Sequence, residues 1–163
     1  MNTYDTKYFG QLSIDETSDY EYFDVTYNNE ALYISLSGFN GHGDKLEECL
    51  EVINAYADVY ETGKTSIAEN YGENEVIRYY FKYHFDNLDK EILVQLFGVD
   101  DFKDFSIEKA AEKLLPPDLV FSIEEYGEIA LSVDFRVSKE YSDEVLCIKM
   151  DEVLNIIDYT REN

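Results

Sequence analysis

Basic residues are scarce: 13 Lys and Arg stand against 36 Asp and Glu, for a formal net charge of −23 over 163 residues. That imbalance disfavours DNA, RNA and anionic lipid as partners, because binding phosphates needs the opposite sign. Cysteine is scarce too. Cys49 and Cys147 have no CxxC companions, so zinc-finger and redox motifs are missing. Two reduced core thiols are the expected reading, with one long-range disulfide as the alternative. Proline is confined to Pro116-Pro117, so there is no proline-rich linker. No run approaches 18 apolar residues, and the sequence carries no membrane-spanning pattern. Met1-Asn2-Thr3-Tyr4-Asp5 lacks the basic-then-apolar order of a secretory leader, so a cytoplasmic location is expected.

Catalytic signatures are equally absent. With two histidines there is no HExxH, no Gly-x-Ser-x-Gly elbow and no Cys–His signature. His84, four residues after Tyr80, reads as a packed helix residue, and His42 as a loop residue. Gly41-His42-Gly43 lacks the length and the lysine of a phosphate-binding loop. Asp100-Asp101-Phe102-Lys103-Asp104 lacks the alternating ligands, central glycine and terminal glutamate of a calcium loop. No catalytic residue, metal ligand or cofactor is therefore expected.

What is present is aromatic bulk, 15 Tyr and 10 Phe, in a chain that is 45% hydrophobic. That content outweighs the self-repulsion of the charge, and the length suits one domain, residues 1–163. Leu12 and Ile14, then Phe23, Val25 and Tyr27, then Leu32, Ile34 and Leu36 alternate as half-buried strands do. Asn28-Asn29-Glu30 between the last two supplies hairpin turn chemistry. From residue 44 the period changes to three and four. Asp44 with Glu47 resembles a capping box for a helix over about 45–61, carrying Leu46, Cys49, Leu50, Ile53, Ala57 and Tyr60. Further helical stretches hold Ile67 and Tyr71, then Val76 to Phe85, then Ile92 to Leu96 before Gly98. A last one starts at Ser106 and stops at the prolines. After them the period returns to two at Leu119, Phe121 and Ile123 and at Ile129, Leu131, Val133 and Phe135. Val145–Met150 reads as an interior strand, and a last strand is expected around 154–159.

Strands over 1–38, helices over 44–115 and strands over 118–160 predict an α+β domain. The expected architecture is one largely antiparallel sheet built from the N-terminal and C-terminal strands, with the central helices packed on one face. Two small sheets with helices between them are the alternative. Charge is most one-sided in residues 1–62, where 13 acids face 2 bases. The strand phase opposite the core set puts Tyr20, Tyr22 and Tyr33 on a helix-free side, beside Glu21 and Asp24. Asp15, Glu16 and Asp19 precede them. These seven (Asp15, Glu16, Asp19, Glu21, Tyr22, Asp24 and Tyr33) form the candidate protein-binding set. Acids steer a basic partner, and tyrosines supply contact area at low entropy cost.

Tyr8-Phe9-Gly10-x-Leu12-x-Ile14, Tyr22-Phe23-x-Val25 and Leu32-x-Ile34-x-Leu36 also carry a resemblance. With Tyr79–Phe85 and the tail Asp151–Tyr159, they make the chain resemble the bacterial domain-of-unknown-function family 2004 over almost its whole length. The chain departs from that family at Val153, where a glycine turn is usual. The resemblance implies a bacterial, cytoplasmic protein without assigned activity and supplies no site residues. The functional expectation is a non-enzymatic protein-binding domain, for instance an immunity-type inhibitor of a basic toxin. The alternative is a small-molecule-binding or hydrolytic domain with a pocket between sheet and helices. A homo-oligomer would need a neutral contact patch to overcome the repulsion between copies.

Overall fold

The computed structural model describes residues 1–163. Its first elements are strands β1 (Asn2–Thr6) and β2 (Gly10–Ile14), an antiparallel ribbon of their own. A six-stranded sheet follows the order β3 (Tyr20–Tyr27), β4 (Glu30–Ser37), β5 (Asp118–Ile123), β6 (Ile129–Phe135), β7 (Val145–Met150) and β8 (Ile156–Glu162). Between β4 and β5 lie helices α1 (Gly43–Asn54), α2 (Tyr56–Asn70), α3 (Glu75–Asn87), α4 (Lys90–Phe97) and α5 (Ile107–Glu112). A 3₁₀ turn, Phe102–Asp104, precedes α5. The fold is α+β, with the helices inserted in the middle of a mostly antiparallel sheet.

The hairpin β3–β4 turns on Asn28 and Asn29, both at positive φ (51° and 64°), in the conformation that matches strand twist. Four of the five ladders in the large sheet are antiparallel. The exception joins the two ends of the chain: β4 and β5 run parallel, Ile34 opposite Leu119 and Leu36 opposite Phe121. The five-helix crossover supplies the length that a parallel connection needs. Leu32, Ile34 and Leu36 on β4 share one face with Leu119 and Phe121 on β5 and Val133 and Phe135 on β6. Against them pack Ile53, Tyr56, Val59, Ile67, Ile77, Tyr80 and Phe81 from the helices. Thirty-three buried residues form this one core cluster, and both terminal thirds contribute to it.

Four local expectations change. The ribbon leaves the sheet because its apolar pair, Leu12 and Ile14, packs into the core from beside α1, where Asn54 accepts the Lys7 N–H at 2.9 Å. Residues 2–6, which show no apolar alternation, are held as a strand by that pairing. The single helix over 45–61 is two helices, broken at Ala55. The break re-aims α2 while Tyr56 stays fully buried, its hydroxyl donating to the Pro117 carbonyl at 2.6 Å. Asp44 is inside the first turn of α1 rather than its cap, which falls at His42 without a side-chain bond. By contrast Ser106 caps α5 by accepting the Lys109 N–H, and Gly98 ends α4 at φ 76°. In the last turn the left-handed residue is Leu154 (φ 65°), not Val153. The Asp151 carboxylate holds that turn by accepting the N–H groups of Val153 and Asn155.

Under the loop between β6 and β7, His84 is fully buried. Its Nδ1 meets the Tyr80 carbonyl at 2.8 Å and its Nε2 the Ser142 hydroxyl at 2.7 Å. The first contact assigns the proton to Nδ1, so Ser142 donates to Nε2. Burial holds the imidazole below its usual range, with the Tyr80 bond and Glu144 opposing and Arg161 reinforcing. The folded ring resists a proton that the unfolded chain takes up at about pH 6.5, so its stabilising share is full above that pH and is lost as pH falls from it towards the lowered folded value. The urea midpoint of the wild type is expected to drop more than that of His84→Leu between about pH 7.5 and about pH 5.5. Equal drops would show that His84 does not titrate with folding.

Candidate functional site

Each strand of the large sheet has a second face, turned away from the helices. On β3 it carries Tyr20, Tyr22, Asp24 and Thr26, and on β4 Ala31, Tyr33, Ser35 and Ser37. Tyr22 and Tyr33 stack across the two strands, ring centroids 5.2 Å apart and planes 20° from parallel. Tyr20 and Tyr22 are 56% and 47% exposed. Asp24 lies directly opposite Tyr33 in the ladder and is exposed. Beyond Tyr33 the face turns inward and polar. The Asp118 carboxylate, 1% exposed, accepts the Tyr33 N–H at 2.8 Å and pairs with the Arg136 guanidinium.

One strand further, Asp134 is 7% exposed and accepts the Ser132 hydroxyl, whose oxygen in turn accepts Lys149 Nζ at 3.1 Å. Burial pushes the Asp134 carboxyl above the usual carboxylate range, against the bonds from Ser132 and Cys147 and the charge of Lys149. Burial, with Asp134 beside it, also pushes the Cys147 thiol up to about 12. Burial likewise raises Cys49 to about 12, and both cysteines are free. Neither is a nucleophile in that state.

The seven expected site residues are brought together only in part. Tyr22, Asp24 and Tyr33 share the helix-free face. Glu21 points to the opposite side of β3, where its carboxylate accepts the Asp15 N–H at 3.0 Å. Asp15, Glu16 and Asp19 sit in the β2–β3 connection and shape it. Asp15 accepts the Thr17 hydroxyl and N–H, and these bonds lower its pKa. Glu16 accepts the Tyr4 hydroxyl at 2.5 Å, which lowers it likewise. Asp19 accepts the Asn40 N–H at 3.3 Å. None of the five acids is ion-paired with a Lys or Arg. Their charge is therefore not neutralised at contact distance.

The polar cluster of Asp118, Ser132, Asp134, Arg136 and Lys149 was not anticipated. A signal for it was available: Ile129, Leu131, Val133 and Phe135 set the core phase of β6, which sends Ser132, Asp134 and Arg136 to the other face together. No family model matches the chain, and neither a curated protein nor a solved structure matches it.

The space between sheet and helices is filled by Tyr56, Tyr80, Phe81, Phe121 and Phe135, each under 2% exposed. Clefts open elsewhere. One of about 460 Å³ adjoins Tyr33 and is lined by Asp134, Arg136, Lys139 and Glu162 among others. Another, about 540 Å³, lies on the outer side of α3. No three His, Cys, Asp or Glu side chains are placed to hold a metal ion. No helix is long and apolar enough to cross a membrane.

Proposed function

We propose that this chain is a non-enzymatic, cytoplasmic bacterial domain that binds a basic protein through the helix-free face of β3 and β4. What supports the reading is the exposed Tyr20 and Tyr22, with Tyr33 stacked behind, beside Asp24, which is paired with no Lys or Arg. Rigid, half-exposed tyrosines provide hot-spot area, and the open outer edge of β3 adds unpaired backbone groups for an incoming strand. The net charge of −23 supplies long-range steering towards a cationic partner. An immunity-type inhibitor of a basic nuclease is the concrete form of this reading. Carboxylates and tyrosine hydroxyls would there occupy a surface built for phosphates.

The test is capture by the immobilised protein from a lysate of its own cells, eluted with salt, beside two variants. One basic protein bound stoichiometrically, released by moderate salt and held about tenfold more weakly by Tyr22→Ser and by Asp24→Lys, is the expected result. Both positions are exposed, so unchanged circular dichroism and melting should accompany the loss. Diffuse polycation binding that both variants retain would overturn the reading.

A further inference from the structure

The groove outside α3 is chemically unlike the rest of this molecule. Its floor is apolar: Val76 and Tyr79 on one face of α3, and Phe102 from the 3₁₀ turn. Its rim carries Arg78, Lys82 and Arg161, which are three of the chain's 13 cations, against Glu75 as the sole lining acid. A protein with nearly three acids per base thus gathers a net positive lining around an apolar-floored cleft. The acids that pair with these cations are set outside the lining. Lys82 meets Asp86 one turn along α3 at 2.9 Å, and Arg161 Nε lies 3.6 Å from the buried Glu144. Arg78 has no carboxylate at all, and its Nη1 donates to the carbonyls of Tyr71 and Gly72.

Arg161 adds a second observation. Its guanidinium lies over the rings of Tyr79 and Tyr83, 4.1 and 5.4 Å from their centroids. Its Nη1 is buried with no hydrogen-bond partner, while its Nε faces Glu144 Oε2 at 3.6 Å, an ion-pair distance too long for a hydrogen bond. A buried guanidinium N–H without an acceptor is costly, so Arg161 keeps an unused donor beside the aromatic floor although Glu144 faces its Nε. A volume of about 540 Å³ falls in the range of small-ligand sites.

We propose that this groove binds a small amphiphilic carboxylate, its apolar body on Val76, Tyr79 and Phe102 and its carboxylate among Arg78, Lys82 and Arg161. The site is independent of the β3–β4 face and lies on different elements. Aromatic walls suit a planar body, and the arginines suit a carboxylate better than a neutral head group.

An isosteric series tests the proposal: 2-naphthoate, 2-naphthylmethanol and 2-naphthylmethylammonium, each titrated into the intact protein and followed by NMR shift mapping. Global charge alone ranks the ammonium first and the carboxylate last. The groove should reverse that order, with naphthoate at least about tenfold tighter than the ammonium and shifts centred on Val76, Tyr79 and Phe102. Arg78→Gln and Lys82→Gln, both altering rim side chains outside the core, should weaken naphthoate by about fivefold or more and leave the alcohol unchanged. Any other order, equal affinities, or shifts mapping outside the groove would overturn the proposal.

Discussion

Asp118→Ala is expected to lower the melting temperature by about 10 °C, the largest effect of any single polar substitution in the sheet. Asp118 is 1% exposed, and its carboxylate both accepts the Tyr33 N–H and pairs with Arg136. The Arg136 side chain is itself only 20% exposed, so removing the acid strands a half-buried cation and an unpaired backbone N–H. Breaking a buried pair from one side costs about 3–5 kcal/mol. The lower end applies here because water reaches part of the guanidinium. For a chain of this length each kcal/mol moves the midpoint by about 2–4 °C. Replacing both partners by apolar groups, Asp118→Leu with Arg136→Met, should recover the part due to the stranded cation but not the part due to the Tyr33 N–H, which Leu cannot accept. A melting temperature within about 2 °C of wild type for Asp118→Ala would mean that the pair does not hold β4 to β5.

Gly38→Ala should be comparably severe, for a reason of geometry rather than charge. Gly38 ends β4 at φ 77°, where its N–H donates to the Asp19 carbonyl at 3.1 Å. A Cβ there would overlap the Ile123 carbonyl oxygen, which belongs to the end of a neighbouring strand and has no rotamer to change. The left-handed conformation costs an L-residue about 1–2 kcal/mol, and the overlap adds a further 1–3 or so. The sum is about 3 kcal/mol, again near 10 °C. Gly41 provides the control. Its φ is 83°, but a Cβ there meets nothing within 4 Å, so Gly41→Ala should cost only the conformational part, about 1 kcal/mol. Equal losses at the two positions would show that backbone approach is not what requires glycine at 38.

Both expectations concern the junction where β3–β4 from the first third meets β5–β6 from the last. The proposed partner face rests on that junction, since Tyr33 stacks on Tyr22 on one side and is held through its N–H by Asp118 on the other. Loosening the ion pair should therefore blur the tyrosine platform as well as destabilise the fold. Measuring binding and melting on the same variants separates the two: Tyr22→Ser should affect binding alone, Asp118→Ala both.

The features legible in the sequence were those set by neighbours a few residues apart. Alternation at Leu32, Ile34 and Leu36 and at Leu131, Val133 and Phe135 marked the core phase, because successive strand residues face opposite ways. Asn28-Asn29, Gly98 and Ser106 marked a turn, a helix end and a cap, because each acts on its own backbone. Even the face of Tyr22, Asp24 and Tyr33 followed from phase alone. Tertiary structure decided the rest. The parallel pairing of β4 with β5, the placement of the N-terminal ribbon beside α1 and the break at Ala55 depend on partners tens of residues away, as in the Tyr56–Pro117 bond. So do the meeting of Asp118 with Arg136 and the gathering of cations around Val76, Tyr79 and Phe102. A side chain's identity states its charge and size, but which charges become buried together depends on how the strands are ordered, and that order is a property of the whole packed core.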